Sequence, residues 1–181
     1  MTTLGASMLK EIIYKAKKLE ANIILNSLRA ETIKNFKKID FLGKNKENID
    51  ISLCIIDHKK NELQYSGANQ PIFTIIKKEI KRWKPNRMPI NGNYKKNEPF
   101  INNRIRIKSG DWLYMFTDGY YDQFGGLRNN KFYLSRFRKL IFSIHEKEMK
   151  EQKNTLLNEF YKWKGENFRV DDILIIGVTI P

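Results

Sequence analysis

The chain has 181 residues, of which 41% are apolar and 12% aromatic, enough for one folded domain with a core. No apolar run approaches the roughly 18 residues that a membrane-spanning helix needs, and the start lacks a signal-peptide pattern, so we expect a cytoplasmic protein. The single cysteine, Cys54, excludes a disulfide framework and a cysteine-rich zinc site.

The formal net charge is +14, because 34 lysines and arginines outnumber 20 aspartates and glutamates. Clustered cations bind nucleic-acid phosphates, so a basic nucleic-acid-binding domain is one alternative. Here, however, the cations are spread along the chain, and most are lysines, which offer no bidentate contact to a base. No helix-turn-helix, zinc or aromatic RNA-binding pattern supports that alternative. We therefore expect a solvated basic surface and no nucleic-acid partner.

The first part of the chain is helical in pattern, and the middle is strand-like. Apolar residues recur at three- and four-residue spacing from Leu4 to about Phe36, with a break near Ala21, which predicts two amphipathic helices. A polar, turn-forming stretch follows at residues 43–46. The strand-like segments, of which the first two form a hairpin, are residues 49–56, 62–65, 71–76, 80–83, 100–107 and 112–116.

The last part of the chain returns to helix and ends in a strand. Residues 132–144 and 146–163 each carry apolar residues along one face, and residues 173–180 have the pattern of a final strand. Helices, a strand meander, a helix pair and a last strand predict an α+β fold with helices packed on antiparallel sheets. We treat residues 1–181 as a single domain.

Two of the strands are apolar on both faces. Trp112–Phe116 and Ile173–Ile176 lack polar alternation, which predicts central strands covered on each side. Asp118 follows the first of them, and Asp171 and Asp172 precede the second. If the two strands are antiparallel neighbours, these carboxylates meet at one rim of the sheet.

The spacing of these aspartates has two interpretations. Hard cations such as Mg²⁺ and Mn²⁺ take oxygen ligands, and Gly119 would let backbone approach closely beside Asp118. The alternative is structural, because Asp-Gly is a common turn dipeptide and Asp-Asp before a strand is an ordinary solvated loop. The spacing alone leaves both interpretations open.

Five blocks of the sequence together carry a family resemblance. Residues 110–126 contain Gly-Asp, an apolar strand, Thr-Asp-Gly and then Asp-Gln-Phe-Gly-Gly, and residues 170–173 are Val-Asp-Asp-Ile. Residues 65–71 contain Gly-Ala-Asn-Gln-Pro, and residues 88–92 a Pro-Ile-Asn-Gly turn. With residues 50–53, these blocks resemble, in order, those of PPM-type, metal-dependent serine/threonine phosphatases of the SpoIIE/RsbU family.

That resemblance implies an antiparallel β-sandwich flanked by helix pairs. It also implies metal-dependent hydrolysis of phosphoserine or phosphothreonine in a regulatory phosphoprotein, of the anti-sigma-factor-antagonist kind, with Mn²⁺ or Mg²⁺ activating a water. The metal site would comprise Asp118, Gly119, Asp171 and Asp172, with Asp172 the less favoured ligand of its pair. The resemblance implies no catalytic residue beyond the ligands, and it leaves a homodimer open.

One family motif, Asp-x-x-Gly-His-Gly, does not occur in this sequence. Residues 1–9 resemble the segment just downstream of it, so we expect an N-terminally incomplete domain that lacks the first strands. A start assigned too late, a natural truncation and a binding module without catalysis are three open explanations. We expect impaired turnover and exposed strand edges, and a non-catalytic pseudophosphatase remains the alternative function.

Overall fold

The computed structural model describes residues 2–16, 19–39, 48–91 and 98–181. The chain begins with two helices, α1 (Thr2–Lys15) and α2 (Ala21–Ile39). Eight strands follow: β1 (Ile51–Asp57), β2 (Glu62–Ala68), β3 (Ile72–Ile76), β4 (Glu79–Trp83), β5 (Asn103–Arg106), β6 (Trp112–Phe116), β7 (Phe124–Gly125) and β8 (Asn130–Lys131). Two helices and a strand close the described chain: α3 (Leu134–Ile144), α4 (Met149–Lys164) and β9 (Ile175–Thr179).

These elements divide into two compact units, each of which is described by itself. The first unit comprises Met1–Pro71 and Lys84–Ile107. The second comprises Ile72–Trp83 and Lys108–Pro181. All three aspartates that the sequence predicts as metal ligands belong to the second unit.

The first unit contains a three-stranded antiparallel sheet in the order β1-β2-β5. Its hairpin was predicted correctly, with Asp57 opposite Glu62 and Asn61 in the left-handed region at φ 51°. Residues of α2 share a hydrophobic core with the end of β2 and the segments after β4, namely Leu25, Leu28, Ala68, Met88, Ile90 and Phe100. Burial raises the pKa of the Cys54 thiol, on β1, to about 12, so the thiol stays protonated at neutral pH.

The second unit contains a four-stranded antiparallel sheet in the order β4-β3-β6-β9. Its core joins side chains of β3 and β6 to side chains of α3 and α4, with many aromatic rings among them. The Phe137 ring lies 5.0 Å from that of Phe116 and 4.9 Å from that of Tyr120, centroid to centroid. Burial of each such ring contributes on the order of 2 kcal/mol, so this cluster is a main source of stability for the unit.

Two buried tyrosines attach α4 to the rest of this unit through their hydroxyl groups. The Tyr114 hydroxyl donates to Oε1 of Gln152 at 2.8 Å, and Nε2 of Gln152 donates to two carbonyl oxygens in the turn before α4. The Tyr120 hydroxyl donates to the backbone carbonyl of Leu156 at 2.8 Å. Burial raises the pKa of both tyrosines well above the usual value, so both hydroxyls remain donors.

Most of the predicted elements are confirmed, with shifted ends. The predicted α+β class with antiparallel sheets is correct, although β2 extends to Ala68 and β5 begins only at Asn103. The hairpin of β7 and β8 was not predicted, because strands of two residues have no detectable period. The predicted turn at residues 43–46 lies outside the described residues. No helix among the described residues is long and apolar enough to cross a membrane.

One prediction about the second sheet is wrong. β6 is central, as expected, but β9 is the outermost strand of this sheet among the described residues. Leu174 and Ile176 are 55% and 42% exposed, so the final strand is not covered on both faces. Apolar composition reflects β-propensity, whereas the position of a strand depends on its pairing partners. The opposite outer strand, β4, carries the exposed Lys81 and Arg82.

We expect Tyr114→Phe to lower the free energy of unfolding more than Tyr120→Phe does. Without the Tyr114 hydroxyl, the buried Oε1 of Gln152 loses its donor, which costs about 2 kcal/mol. Without the Tyr120 hydroxyl, the Leu156 carbonyl keeps its bond within the helix, so the cost is about 1 kcal/mol. Urea unfolding of the two variants beside the wild type measures the difference, and equal losses would contradict this ranking.

Candidate metal centre

The pairing of β6 with β9 brings the two aspartate segments together. The ladder sets Phe116 opposite Ile175, and the Thr117 amide continues it by donating to the Leu174 carbonyl at 3.0 Å. The Thr117 hydroxyl accepts a hydrogen bond from the Leu174 amide and donates one to the Asp172 carbonyl, both at 2.9 Å. This threonine therefore fastens the segment after β6 to the segment before β9.

Gly119 packs against the backbone of the Asp-Asp segment. A Cβ atom at this position would lie 2.5 Å from the carbonyl oxygen of Asp172 and 3.1 Å from that of Asp171. Both distances are too short for a side chain, so a residue other than glycine would push the segments apart. The close approach that the sequence predicted at Gly119 is present, and it places the Asp118–Gly119 turn directly beside Asp171 and Asp172.

The three carboxylates have different surroundings. Asp118 is half-buried, whereas Asp171 and Asp172 are exposed. Oδ1 of Asp172 lies 2.9 Å from a guanidinium nitrogen of Arg169, and Oδ1 of Asp171 accepts a hydrogen bond from the Asp172 amide at 2.6 Å. Asp172 is thus engaged by a cation at the surface.

The donor atoms suit a hard cation, but they are few. Asp118 and Asp171 offer carboxylate oxygens, which Mg²⁺ and Mn²⁺ prefer. Within the part of the chain that the structure describes, no group of three or more Asp, Glu, His or Cys side chains could hold a metal ion. His58 lies at an exposed hairpin tip and His145 at the end of α3, so neither adds a ligand here. The ligand roles of Asp118, Gly119, Asp171 and Asp172 stay a prediction.

A buried glutamine that the sequence did not single out positions the Asp-Asp segment. Gln123 has no exposed surface, and its Nε2 donates to the carbonyl oxygens of Phe168 at 2.9 Å and Phe124 at 3.0 Å. Its Oε1 accepts a hydrogen bond from the Val170 amide at 3.2 Å. One side chain therefore ties the turn after Asp118 to the residues just before Asp171. The only sequence signal for it was its place in the Asp-Gln-Phe-Gly-Gly block.

The antiparallel α+β fold, in which an Asp-Gly turn lies against an Asp-Asp segment, resembles that of solved PP2C domains. A family model described as stage II sporulation protein E (SpoIIE) matches residues 2–181. Because the match spans nearly all of the sequence, the chain belongs to the SpoIIE family of metal-dependent phosphatases. The family predicted from the five sequence blocks is therefore confirmed.

Solved structures share this fold at low sequence identity. The SiaA-PP2C domain of Pseudomonas aeruginosa matches with a TM-score of 0.87 and 20% identity, over 99% of this chain and 69% of that one. The PP2C phosphatase domain of Bacillus subtilis SpoIIE, with a fragment of its regulatory domain, matches with a TM-score of 0.74 and 14% identity, over 98% of this chain and 49% of that one. The catalytic domain of PstP, in complex with two manganese ions, matches with a TM-score of 0.64 and 10% identity, over 99% of this chain and 82% of that one.

These identities are low enough that the three likenesses show the fold alone. The chain spans about half the length of the SpoIIE structure. No curated protein sequence matches this chain. The family and the fold are thus known, while the substrate and the ligand set are matters for proposal.

We expect Gln123→Leu to lower the free energy of unfolding by about 2 kcal/mol, because it leaves the Val170 amide and the Phe168 carbonyl without their partner. Asn167→Ala is the control, since the Asn167 amide makes its bonds at the surface, and its loss should cost less than about 0.5 kcal/mol. Urea unfolding measures both changes. Equal costs would show that Gln123 does not anchor the segment before Asp171.

Proposed function

We propose that this chain hydrolyses phosphoserine and phosphothreonine in a regulatory phosphoprotein, in a reaction that depends on Mn²⁺ or Mg²⁺. Membership of the SpoIIE family supports the class of reaction. The observation that carries the proposal is the packing of Gly119 on the backbone of Asp171 and Asp172, since it assembles the rim that a metal site would need. A phosphoprotein of the anti-sigma-factor-antagonist kind is the proposed substrate, and residues 1–181 are proposed as one domain of this type.

Asp118 and Asp171 are the proposed metal ligands. Both present hard oxygen donors at the same end of the β6–β9 pair, and a solved relative that binds two manganese ions has the same fold. When bound, the cation would lower the pKa of a coordinated water and offset the charge on the phosphoryl oxygens. Asp172 is the weaker candidate, because Arg169 competes for its carboxylate.

Other residues of this chain either position the two aspartate segments or are excluded as nucleophiles. Thr117 and Gln123 hold the two aspartate segments in register. Cys54 belongs to the other unit, and burial raises its pKa to about 12, so it supplies no thiolate at neutral pH. Direct hydrolysis without a phosphocysteine intermediate is the chemistry that these residues support.

A non-catalytic interaction module is a second candidate function, and one observation favours it. The described residues contain no group of three or more side chains suited to a metal ion, so two carboxylates alone would hold a cation weakly. In that case the chain would bind a phosphoprotein with little turnover. We accordingly propose that hydrolysis by the described ligand set is slow.

Asp118→Asn should reduce the Mn²⁺-dependent hydrolysis of p-nitrophenyl phosphate on the order of 100-fold, because it removes a charged ligand from a site of few ligands. Asp57→Asn is the control, since Asp57 is at the tip of the β1–β2 hairpin in the other unit and should leave the rate unchanged. Initial rates over a Mn²⁺ titration give both the rate and the apparent affinity for the metal.

Equal turnover of Asp118→Asn and the wild type would remove Asp118 from the metal site. If the wild type shows no Mn²⁺-dependent turnover and still binds a phosphoprotein, the non-catalytic function is correct instead. A rate that is the same with and without Mn²⁺ would contradict metal dependence altogether.

A further inference from the structure

A surface pocket of about 430 Å³ lies where the β7–β8 hairpin meets α3 and the last part of α4, all within the second unit. Three cationic side chains line it, those of Arg128, Arg136 and Lys162, against the single carboxylate of Glu159. The indole ring of Trp163 is also part of the lining. We call these residues the basic pocket. Its volume is in the range of about 300–1,000 Å³ that is usual for ligand sites.

The floor of the basic pocket is rigid. The Trp163 indole Nε1 donates to the Gln123 carbonyl at 3.1 Å, which fixes the ring. The hairpin backbone packs closely against that ring, because a Cβ atom at Gly126 would come within 2.7 Å of the indole carbons. Gly126 also has φ +66°, a conformation that side chains other than glycine rarely adopt. The cations therefore surround a surface that is already formed.

Arg136 is held with its guanidinium group oriented. Its Cζ lies 4.3 Å from the ring centroid of Trp163 and 5.0 Å from that of Phe132, and these two rings meet edge to face. A guanidinium group that lies over an aromatic ring can still donate hydrogen bonds to other acceptors through its N–H groups. These donors suit a planar or tetrahedral oxyanion, which can accept two parallel hydrogen bonds.

The cations of this pocket are not neutralised by the protein. Among the described residues, the side chains of Arg128, Arg136 and Lys162 make no ion pair or hydrogen bond, although the Arg136 guanidinium contacts the two rings. Other lysines of this unit differ, since Nζ of Lys131 on β8 lies 3.0 Å from a carboxylate oxygen of Asp122, and Lys147 before α4 is paired with Glu151. Three uncompensated cations around one preformed surface create a positive potential that attracts an anionic ligand.

We propose that the basic pocket binds an acidic segment of a partner protein through side-chain oxyanions. The cations border an open pocket rather than a closed cavity, so they suit several neighbouring carboxylate or phosphate groups better than one buried ion. Among the described residues that line the pocket, Trp163 has the only aromatic ring, and Arg136 covers it, so bases have no free stacking platform there. An acidic peptide is accordingly favoured over a nucleic acid. The proposal does not rest on the proposed hydrolysis.

The test is a binding titration without metal, with EDTA present, so that its outcome is separate from that of the hydrolysis assay. A fluorescein-labelled hexaglutamate peptide is the probe, and fluorescence anisotropy at physiological ionic strength is the readout. Arg136→Gln and Lys162→Gln should each weaken binding about fivefold, the size expected for one exposed ion pair. Circular dichroism melting confirms that each variant is folded.

The chain offers a matched control for each variant. Arg138→Gln removes the same charge from α3, and Lys150→Gln removes the same charge from α4, but neither residue lines the pocket. Both controls should change binding by less than about twofold, since general attraction to a chain of net charge +14 is nearly unchanged. A peptide in which phosphoserine replaces one glutamate distinguishes the two sources of oxyanion, and tighter binding of it would identify phosphate as the preferred group.

Three results would overturn the proposal. If the control variants weaken binding as much as the pocket variants do, binding depends on the overall charge of the chain and not on the pocket. A dissociation constant above about 1 mM for both peptides would show that the pocket does not bind acidic peptides with useful affinity. Displacement of the peptide by inorganic phosphate at equal concentration, or stronger binding of a thymidine oligonucleotide, would assign the pocket to a different class of ligand.

Discussion

The antiparallel pairing of β6 with β9 is the constraint on which the candidate metal centre depends. It joins residues that are 59 to 67 apart in the sequence, and the Thr117 hydroxyl extends the pairing one step beyond the strands. Gly119 can then contact the carbonyl oxygens before β9 only because it has no side chain. A change in register by one residue would turn Asp118 to the other face of the sheet and separate it from Asp171.

The strongest sequence predictions came from local pattern combined with one rule of sheet geometry. The unbroken apolar run of Trp112–Phe116 indicated a central strand, and antiparallel neighbours place the end of one strand beside the start of the next. That reasoning correctly located Asp118 beside Asp171 and Asp172. The same reasoning failed for β9, which is an outer strand among the described residues. An apolar run indicates that a segment favours a sheet, but it does not indicate how many strands lie beside it.

What could not be predicted depends on contacts between distant segments. Gln123 has no periodic signal, and its importance arises from bonds to Phe168 and Val170, which lie far along the chain. Arg136 resembles any other exposed arginine on a helix until Trp163 and Phe132 are placed beside it. Composition also hid the local distribution of charge, since an overall excess of cations does not reveal which of them lack an acidic partner.

The two outer strands of the second sheet differ in a way that affects how copies of this chain behave together. β4 carries Lys81 and Arg82, charges that discourage another strand from docking, whereas β9 has no charged residue and leaves half of its backbone amides facing away from β6. Among the described residues, this sheet is therefore open to growth on one side only. At high protein concentration, two copies should associate through their β9 strands. Because this pairing uses the open side of both sheets, the association should stop at a dimer.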